Sequence, residues 1–263
     1  MTIKTIAIAA IALAAASGAN AANLVVNGSF NNTTAANAGA GDILSGDGFA
    51  NLSNDSGFID GWIVRDYSFG PQPGHAAQAW YIPNGLADTV PSSGFWYNGW
   101  ALHGPNTGSN NGLGPSPDGG PLVEIDGGGD YRASLDQDLT GLTVGKTYTV
   151  KFYWAGGQQS CCGGSTTEQL QVSFGNSTQS TAVWNNPEAG FSGWFSESFN
   201  FVAGASTQTL SFLAIGTPYG QPPVVLLDGV SVQGVPEAST WVMLIAGFGI
   251  VGAAARRRRA VAA

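Results

Sequence analysis

The sequence predicts an all-β fold, an antiparallel two-sheet sandwich of the jelly-roll type with long irregular loops. Three observations predict it. Apolar and polar side chains alternate over short runs in the second half of the chain, which is the period of a half-buried strand. Glycine supplies 39 of the 263 residues and separates these runs with turns. The stretch between the two termini shows no sustained helical period.

The individual strands follow from the same alternation. The clearest is 147–154, where an apolar face alternates with a second face made of Thr147, Thr149, Lys151 and Tyr153. Two stretches without alternation, 31–57 and 67–120, are predicted to be loops, and the second is rich in aromatic residues. Further strands are predicted at 24–26, 58–64, 121–125, 131–139, 169–174, 194–202, 207–215 and 224–232.

The N-terminus reads as a secretory signal peptide. Lys4 gives a positive start, and an apolar core follows from Ile6 to Ala16. Ala19 and Ala21 flank Asn20 in a small-x-small site. This pattern predicts a signal helix over 1–21 that signal peptidase removes after Ala21.

The C-terminus reads as a membrane stop. Val235, Pro236 and Glu237 precede Trp241, and an apolar run then continues to Ala255 before four arginines, Arg256, Arg257, Arg258 and Arg259. The run from Trp241 to Ala255 gives a hydrophobic helix of about 22 Å, against a hydrocarbon layer of about 30 Å. The arginines hold the C-terminus on the cytoplasmic side. Two interpretations fit, a simple anchor and a sorting signal that is recognised and cut.

The ordered features of this tail, residues 235–263, resemble the PEP-CTERM sorting tail. In that family an exosortase, a membrane cysteine protease of Gram-negative bacteria, processes the tail. The resemblance implies a transient inner-membrane anchor followed by a place at the cell surface or in the extracellular matrix. Ala238 stands where the family usually has a second proline, a departure that bears on cleavage more than on membership.

Between the two termini, residues 22–234 are predicted to form one domain. This body carries four basic residues and 16 of the 17 acidic residues, so its formal charge is about −12. Binding to nucleic acid through phosphate contacts needs clustered Lys and Arg, which the body lacks. Nucleic acid is therefore excluded as a partner.

Three pieces of the body resemble the galactose-binding-like jelly rolls, a group with many carbohydrate-binding modules. They are Leu24–Phe30, Gly141–Phe152 and Val225–Val232. In that group an acid after the first Phe and an acid in the last strand help to hold a structural calcium. The resemblance implies a calcium site at Asn27, Asn31 and Asp228, although Asn31 offers an amide oxygen without charge.

Aromatic residues of the long loop are the candidate ligand-binding residues. Sugar rings stack through their C–H faces on exposed Trp and Tyr, and such residues tend to lie on loops. The alternative is that these rings pin the loop onto the sandwich as a satellite core. The candidates are Trp80, Tyr81, Trp96, Tyr97 and Trp100.

Catalytic motifs are weak in this chain. The two histidines, His75 and His103, lie in predicted loops without a nucleophile motif. Carboxylates that could act on a glycosidic bond are Glu124, Asp126 and Asp136, but such spacings are as common on solvated strands. The protein is therefore predicted not to be an enzyme.

The two cysteines, Cys161 and Cys162, are adjacent in a glycine-rich loop sequence. A bond between neighbours needs a strained ring, and the pair has no distant partner. A vicinal disulfide and two exposed thiols both remain open.

The sequence thus predicts an exported, surface- or matrix-associated protein that is not catalytic and binds extracellular polysaccharide. One alternative is a structural biofilm or matrix protein without a specific ligand. A polysaccharide-active enzyme using Glu124, Asp126 or Asp136 is a further alternative. No cofactor is required apart from the implied structural calcium.

Overall fold

The computed structural model describes residues 22–34, 43–44, 50–52, 57–67, 77–84, 102–103, 113–159, 163–218, 221–236, 245–252 and 256. Within these residues the chain forms two antiparallel sheets packed face to face. The predicted two-sheet sandwich is confirmed. Residues of the signal peptide, including Ala19 and Ala21, lie outside the described part of the chain.

The first sheet has seven strands. Across the sheet, its strands follow the order β1 (Ile43–Leu44), β2 (Ala50–Leu52), β4 (Ala79–Ile82), β5 (Leu122–Asp126), β13 (Pro223–Gly234), β7 (Thr147–Gln158) and β11 (Phe195–Val202). Each pair is antiparallel. Strands from both halves of the chain therefore meet in one sheet.

The second sheet has the order β10 (Trp184–Asn186), β8 (Thr166–Phe174), β12 (Gln208–Thr217), β6 (Ala133–Leu139) and β3 (Ile63–Asp66), and β9 (Ser177–Ser180) pairs with β8. Its strands also pair antiparallel. In β8 buried and half-buried residues alternate strictly, as the sequence pattern predicts.

The main core fills the space between the sheets. Phe152 of β7 meets Phe212 of β12 edge to face, with ring centroids 5.2 Å apart. Val150 and Trp154 share the inward face of β7 with Phe152. Such aromatic pairs add about 0.5–1.5 kcal/mol to the energy of area burial. The predicted apolar face of 147–154 is thus the core face.

A second apolar cluster covers part of the opposite face of the seven-stranded sheet. Leu226 of β13 lies beside Ala155 of β7 in register, and both belong to this cluster. Leu102 and Leu113, from outside the strands, complete the cover. The centre of the seven-stranded sheet is therefore buried on both faces, and this outer face carries the polar groups considered below.

The start of the body docks on the last strand. The Leu24 amide donates to the Val232 carbonyl (2.9 Å), and the Val230 amide donates to the Gly28 carbonyl (2.9 Å). A Cβ on Gly28 would overlap the carbonyl oxygen of Val230, so only glycine permits this approach.

Several boundaries differ from the sequence predictions. Residues 24–26 dock on β13 but form no strand, and β3 begins at Ile63, near the end of the predicted 58–64 strand. The stretches predicted to be loops contain the short strands β1, β2 and β4. Strands of two to four residues are too short to show an alternating pattern, which is why the sequence missed them.

The tail leaves the sandwich directly after β13. Residues 245–252 are helical, and their apolar side chains are exposed, with Phe248 at 64 %. Arg256 is also helical and exposed. None of the helical segments that the structure describes has the length and apolar character needed to cross a membrane. The predicted motif residues Glu237, Trp241 and Arg257–Arg259 lie outside the described residues.

Candidate functional site

The two described aromatic candidates of the long loop pack against other parts of the molecule, Trp80 more completely than Tyr81. Trp80 lies in β4 with only 2 % of its surface exposed, on the face of the second apolar cluster. Tyr81 is half-buried, and its ring meets Phe58 edge to face with centroids 5.4 Å apart. Burial also raises the pKa of Tyr81. Trp80 presents no ring face to solvent, so the expectation of a sugar platform at Trp80 is corrected to a packing role.

The other three aromatic candidates, Trp96, Tyr97 and Trp100, lie outside the described residues. Cys161, Cys162 and His75 also lie outside them. His103 is described, and its main-chain N–H donates to the Gln158 carbonyl (2.8 Å). Burial lowers the pKa of His103, against the opposing charge of Glu188.

An open polar depression of about 300 Å³ lies on the outer face of the seven-stranded sheet, where β7, β11 and β13 run side by side. The register of the strands brings its lining side chains together, because Tyr153 lies opposite Ser196 and Lys151 lies opposite Ser231. We call it the sheet groove. Its lining residues are Asn23, Ser29, Asp118, Lys151, Phe152, Tyr153, Ser196, Gly229, Val230 and Ser231.

The ring of Tyr153 forms the wall of the sheet groove and lies against Gly229. A Cβ on Gly229 would come within 2.7 Å of the ring carbon Cδ2 of Tyr153 and 3.0 Å of the Asp118 Cβ. Gly229 also has φ of 61°, at the register shift of β13 between Asp228 and Ser231. A bulge at a residue without a side chain therefore sets the position of the ring.

The groups around Tyr153 are suited to hydroxyl-rich ligands. Lys151 is exposed, and no described carboxylate lies within ion-pair distance of its ammonium group. Asp118 and the hydroxyls of Ser196 and Ser231 add acceptors and donors. A half-buried tyrosine beside such groups can stack a pyranose ring, and the neighbouring polar groups can bond its hydroxyls.

The sheet groove was not predicted from the sequence, although the sequence carries a sign of it. Tyr153 and Lys151 stand on the second face of 147–154, opposite the apolar face. An aromatic residue on a polar strand face is the visible sign of such a surface. Asp118 and Gly229 gave no such sign, because their place beside the ring depends on pairing between strands far apart in sequence.

Asp228 forms a buried carboxyl centre next to the sheet groove. Its side chain accepts hydrogen bonds from the Ser116 hydroxyl and from the Gly229 amide (2.7 Å). Burial raises the pKa of Asp228 to about 7, and the neighbouring charge of Asp118 acts in the same direction. The neighbouring carboxyls of Asp228 and Asp118 are a pair of oxygen ligands of the kind that a hard cation prefers.

The other predicted calcium ligands fit unequally. The side-chain oxygen of Asn27 accepts the Asn32 amide (3.0 Å), and its Nδ2 donates to the carbonyls of Asn32 and Asp60. Its amide is therefore engaged in the local turn, but the oxygen keeps a second lone pair, and a ligand role for Asn27 stays a prediction. Asn31 is exposed, and its amide oxygen lies against Gly120, on the same 116–120 segment that contacts Asp228.

The carboxyls considered for catalysis are buried. Glu124 and Asp126 are each 1 % exposed on the outer face of β5, and burial raises their pKa values to about 8 and about 7. Asp136 is paired with Arg65 at 2.9 Å. In the described part of the chain these three carboxyls are therefore not displayed on the surface. Within the described residues no three His, Cys, Asp or Glu side chains are grouped as metal ligands.

Comparison with known proteins identifies the sorting motif in the tail. Residues 234–259 match the PEP-CTERM protein-sorting motif, which confirms the predicted sorting tail. No curated protein matches the chain. The motif is that of proteins exported in Gram-negative bacteria with a transient membrane anchor.

Several solved structures are similar to the body at low identity. TmCBM61 in complex with β-1,4-galactotriose is 13 % identical, with a TM-score of 0.36, over 70 % of this chain and 95 % of that one. A CBM4 structure is 14 % identical, with a TM-score of 0.30, over 80 % and 99 %. The C-terminal CBM6 of LamC, a laminarinase from Zobellia galactanivorans, is 12 % identical, with a TM-score of 0.29, over 59 % and 98 %.

The chain thus ends in a PEP-CTERM sorting motif, the mark of an exported protein that an exosortase sorts.

Proposed function

We propose that the exported body binds an extracellular polysaccharide through the sheet groove, without catalysis. The sorting tail would hold the protein at the inner membrane until exosortase releases it to the cell surface or matrix. The observation that carries the proposal is the Tyr153 ring, held against Gly229 in an open groove beside Lys151. This arrangement offers both a stacking surface and hydrogen-bonding groups.

The negative charge of the body narrows the range of polysaccharides that it is expected to bind. A formal charge of about −12 on residues 22–234 repels polyanions at low salt. Lys151 is the cation that lines the sheet groove, and Asp118 opposes it there. A neutral or sparsely charged polysaccharide is therefore the expected ligand class.

Affinity electrophoresis of the full chain in mild detergent, against a panel of polysaccharides, tests the proposal. We expect retention by at least one polysaccharide. Replacing Tyr153→Ala should weaken it at least about tenfold, the change that about 1.4 kcal/mol produces. Tyr67→Ala is the matched control, because Tyr67 is an exposed tyrosine outside the sheet groove. Equal retention of both variants would refute a role for the groove.

Two further outcomes separate the alternatives. Absence of retention by every polysaccharide would favour a structural matrix protein without a specific ligand. Release of reducing sugar from a retained polysaccharide would favour an enzyme, and we expect none because Glu124 and Asp126 are buried.

A structural cation at Asp228 is a separate proposal within this module. The Asp228 and Asp118 carboxyls and the Asn31 amide oxygen border the 116–120 segment and would hold calcium there. The ion would hold the 116–120 segment in place. Because Asp118 lines the sheet groove, the ion would also hold that part of the groove wall.

A further inference from the structure

A second group of oxygen atoms is buried on the outer face of the seven-stranded sheet, apart from Asp228. Glu124 and Asp126 both point to this face, because Glu124 lies opposite Leu226 and Asp126 opposite Val224, two members of the second apolar cluster. Gln159, at the end of β7, reaches the same place, and its Nε2 donates to Glu124 Oε1 at 2.6 Å. We call Glu124, Asp126 and Gln159 the buried oxygen cluster.

The buried oxygen cluster holds acceptors that the described part of the chain leaves without donors. Asp126 Oδ1 accepts the Gly128 amide at 2.6 Å, but Asp126 Oδ2 has no hydrogen-bond partner. Gln159 is 2 % exposed, and its Oε1 also lacks a partner. Gln78 adds a third such oxygen, and it neighbours Asp126 because the Asp126 amide donates to the Gln78 carbonyl (3.0 Å). Buried acceptors without donors are rare and call for an explanation.

Two further charged groups lie near the cluster. Arg132 lies close enough to Asp126 to favour its ionised form, whereas Asp130 lies close enough to oppose it. A cation bound beside Glu124 and Asp126 would favour the ionised form of both carboxyls.

We propose that the buried oxygen cluster, together with the amide oxygen of Gln78, binds a hard divalent cation of the calcium class. Two carboxylates and two amide oxygens are the ligand types that calcium prefers. A divalent cation balances the ionised Glu124 and Asp126 carboxylates and satisfies the unpartnered acceptors at once. The apolar side chains of Leu226, Leu122 and Leu102 exclude competing water.

Calcium stoichiometry of the full chain tests the site. The protein, in mild detergent at pH 8, is refolded in calcium chloride so that the covered cluster can load, and bound calcium is measured after equilibrium dialysis. We expect the Glu124→Gln/Asp126→Asn variant to bind one equivalent fewer than the parent. Glu168→Gln is the matched control, because it changes a buried acid outside both proposed calcium sites, and it should bind as many equivalents as the parent.

A second measurement reports the location of the ion. Trp80 lies directly opposite Glu124 in register, so terbium in this site should show tryptophan-sensitised emission. Trp80→Phe should lose most of that emission while the calcium stoichiometry stays the same. Equal calcium binding by the parent and the Glu124→Gln/Asp126→Asn variant, or no calcium bound by the refolded parent, would overturn the proposal. Both substitutions are neutral isosteres, and circular dichroism confirms that each variant is folded.

Discussion

The aromatic wall of the sheet groove depends on the contact between Tyr153 and Gly229. The ring occupies the space that a side chain at 229 would fill. The two residues come from adjacent strands, β7 and β13, at the register shift of β13. A single residue without a side chain thus connects the strand pairing to the outer surface of the sheet.

Replacing Gly229→Ala should displace the Tyr153 ring and remove polysaccharide binding. The added Cβ would approach ring carbon Cδ2 to 2.7 Å, and the positive φ of 61° adds backbone strain of about 1 kcal/mol. We expect at least about a tenfold loss of affinity, equivalent to about 1.4 kcal/mol. Affinity electrophoresis of the variant and the parent measures this loss of affinity.

Gly141→Ala is the control for that strain. Gly141 also has positive φ, at 76°, but nothing lies within 4 Å of its Cβ position. This variant should lose comparable stability and keep its affinity. If both variants lose affinity alike, the effect is one of strain and the ring contact is irrelevant.

Gly28→Ala should destabilise the whole sandwich. The new Cβ would collide with the Val230 carbonyl and separate the N-terminal segment from β13. We expect a loss of roughly 2–4 kcal/mol in the free energy of unfolding. Gly114→Ala, where the Cβ position is open, should change that free energy by less than about 0.5 kcal/mol. Urea denaturation measures the free energy of unfolding of both variants. Equal losses in the two would contradict the role of the close approach between Gly28 and the Val230 carbonyl.

The stability of the protein should fall as the pH rises from about 4.5 to 7, partly through Glu168. Burial between the sheets raises the pKa of Glu168 from 4.5 to about 7, while hydrogen bonds from Thr166 and Asn186 oppose the shift. The folded state therefore holds a proton that the unfolded state releases, and this stabilisation is full below pH 4.5 and lost above pH 7.

Glu168→Gln should flatten that pH dependence. The shift corresponds to about 3 kcal/mol between the two ends of the range. Denaturation at pH 4.5 and pH 8 measures the slope. Asp138→Asn, at an exposed acid, should leave the slope unchanged. A parent that becomes more stable with rising pH would contradict the assignment.

Calcium should raise the melting temperature through Asp228. At about 100 times its dissociation constant, a ligand of the folded state stabilises it by about 2.7 kcal/mol. Asp228→Asn should lose part of this response in differential scanning calorimetry, because the proposed site at Glu124 and Asp126 would remain. Asp138→Asn should keep the full response. An identical response in all proteins would remove Asp228 from the ligand set.

The sandwich could be predicted because its long strands carry their own signal. β7, β8 and β12 each alternate buried side chains with less buried ones over several pairs of residues, so one register buries a complete face. β2 and β4 span too few residues for that, and β4 is covered on its outer face by the second apolar cluster. Burial on both faces removes the alternation on which the prediction rests.

The site was predictable only in part. Trp80 looked like a loop aromatic in the sequence, yet pairing between β4 and β5 places it on the covered outer face. Tyr153 stood on the strand face opposite the apolar one, but its contact with Gly229 depends on the register of β13. Sequence patterns assign a residue to a face, whereas long-range pairing decides whether that face is open.

Protein purified from its native host should lack the tail after processing. Val235 and Pro236 are exposed and follow β13 immediately, so a protease can reach this segment while the sandwich stays folded. Intact mass should show a chain that starts at Ala22 and ends near Pro236. Pro236→Ala should retain Arg256–Arg259 and stay in the membrane fraction, whereas Gln233→Ala, at an exposed residue of β13, should be processed normally. A parent protein that still ends in these arginines would show that the tail serves as a permanent anchor.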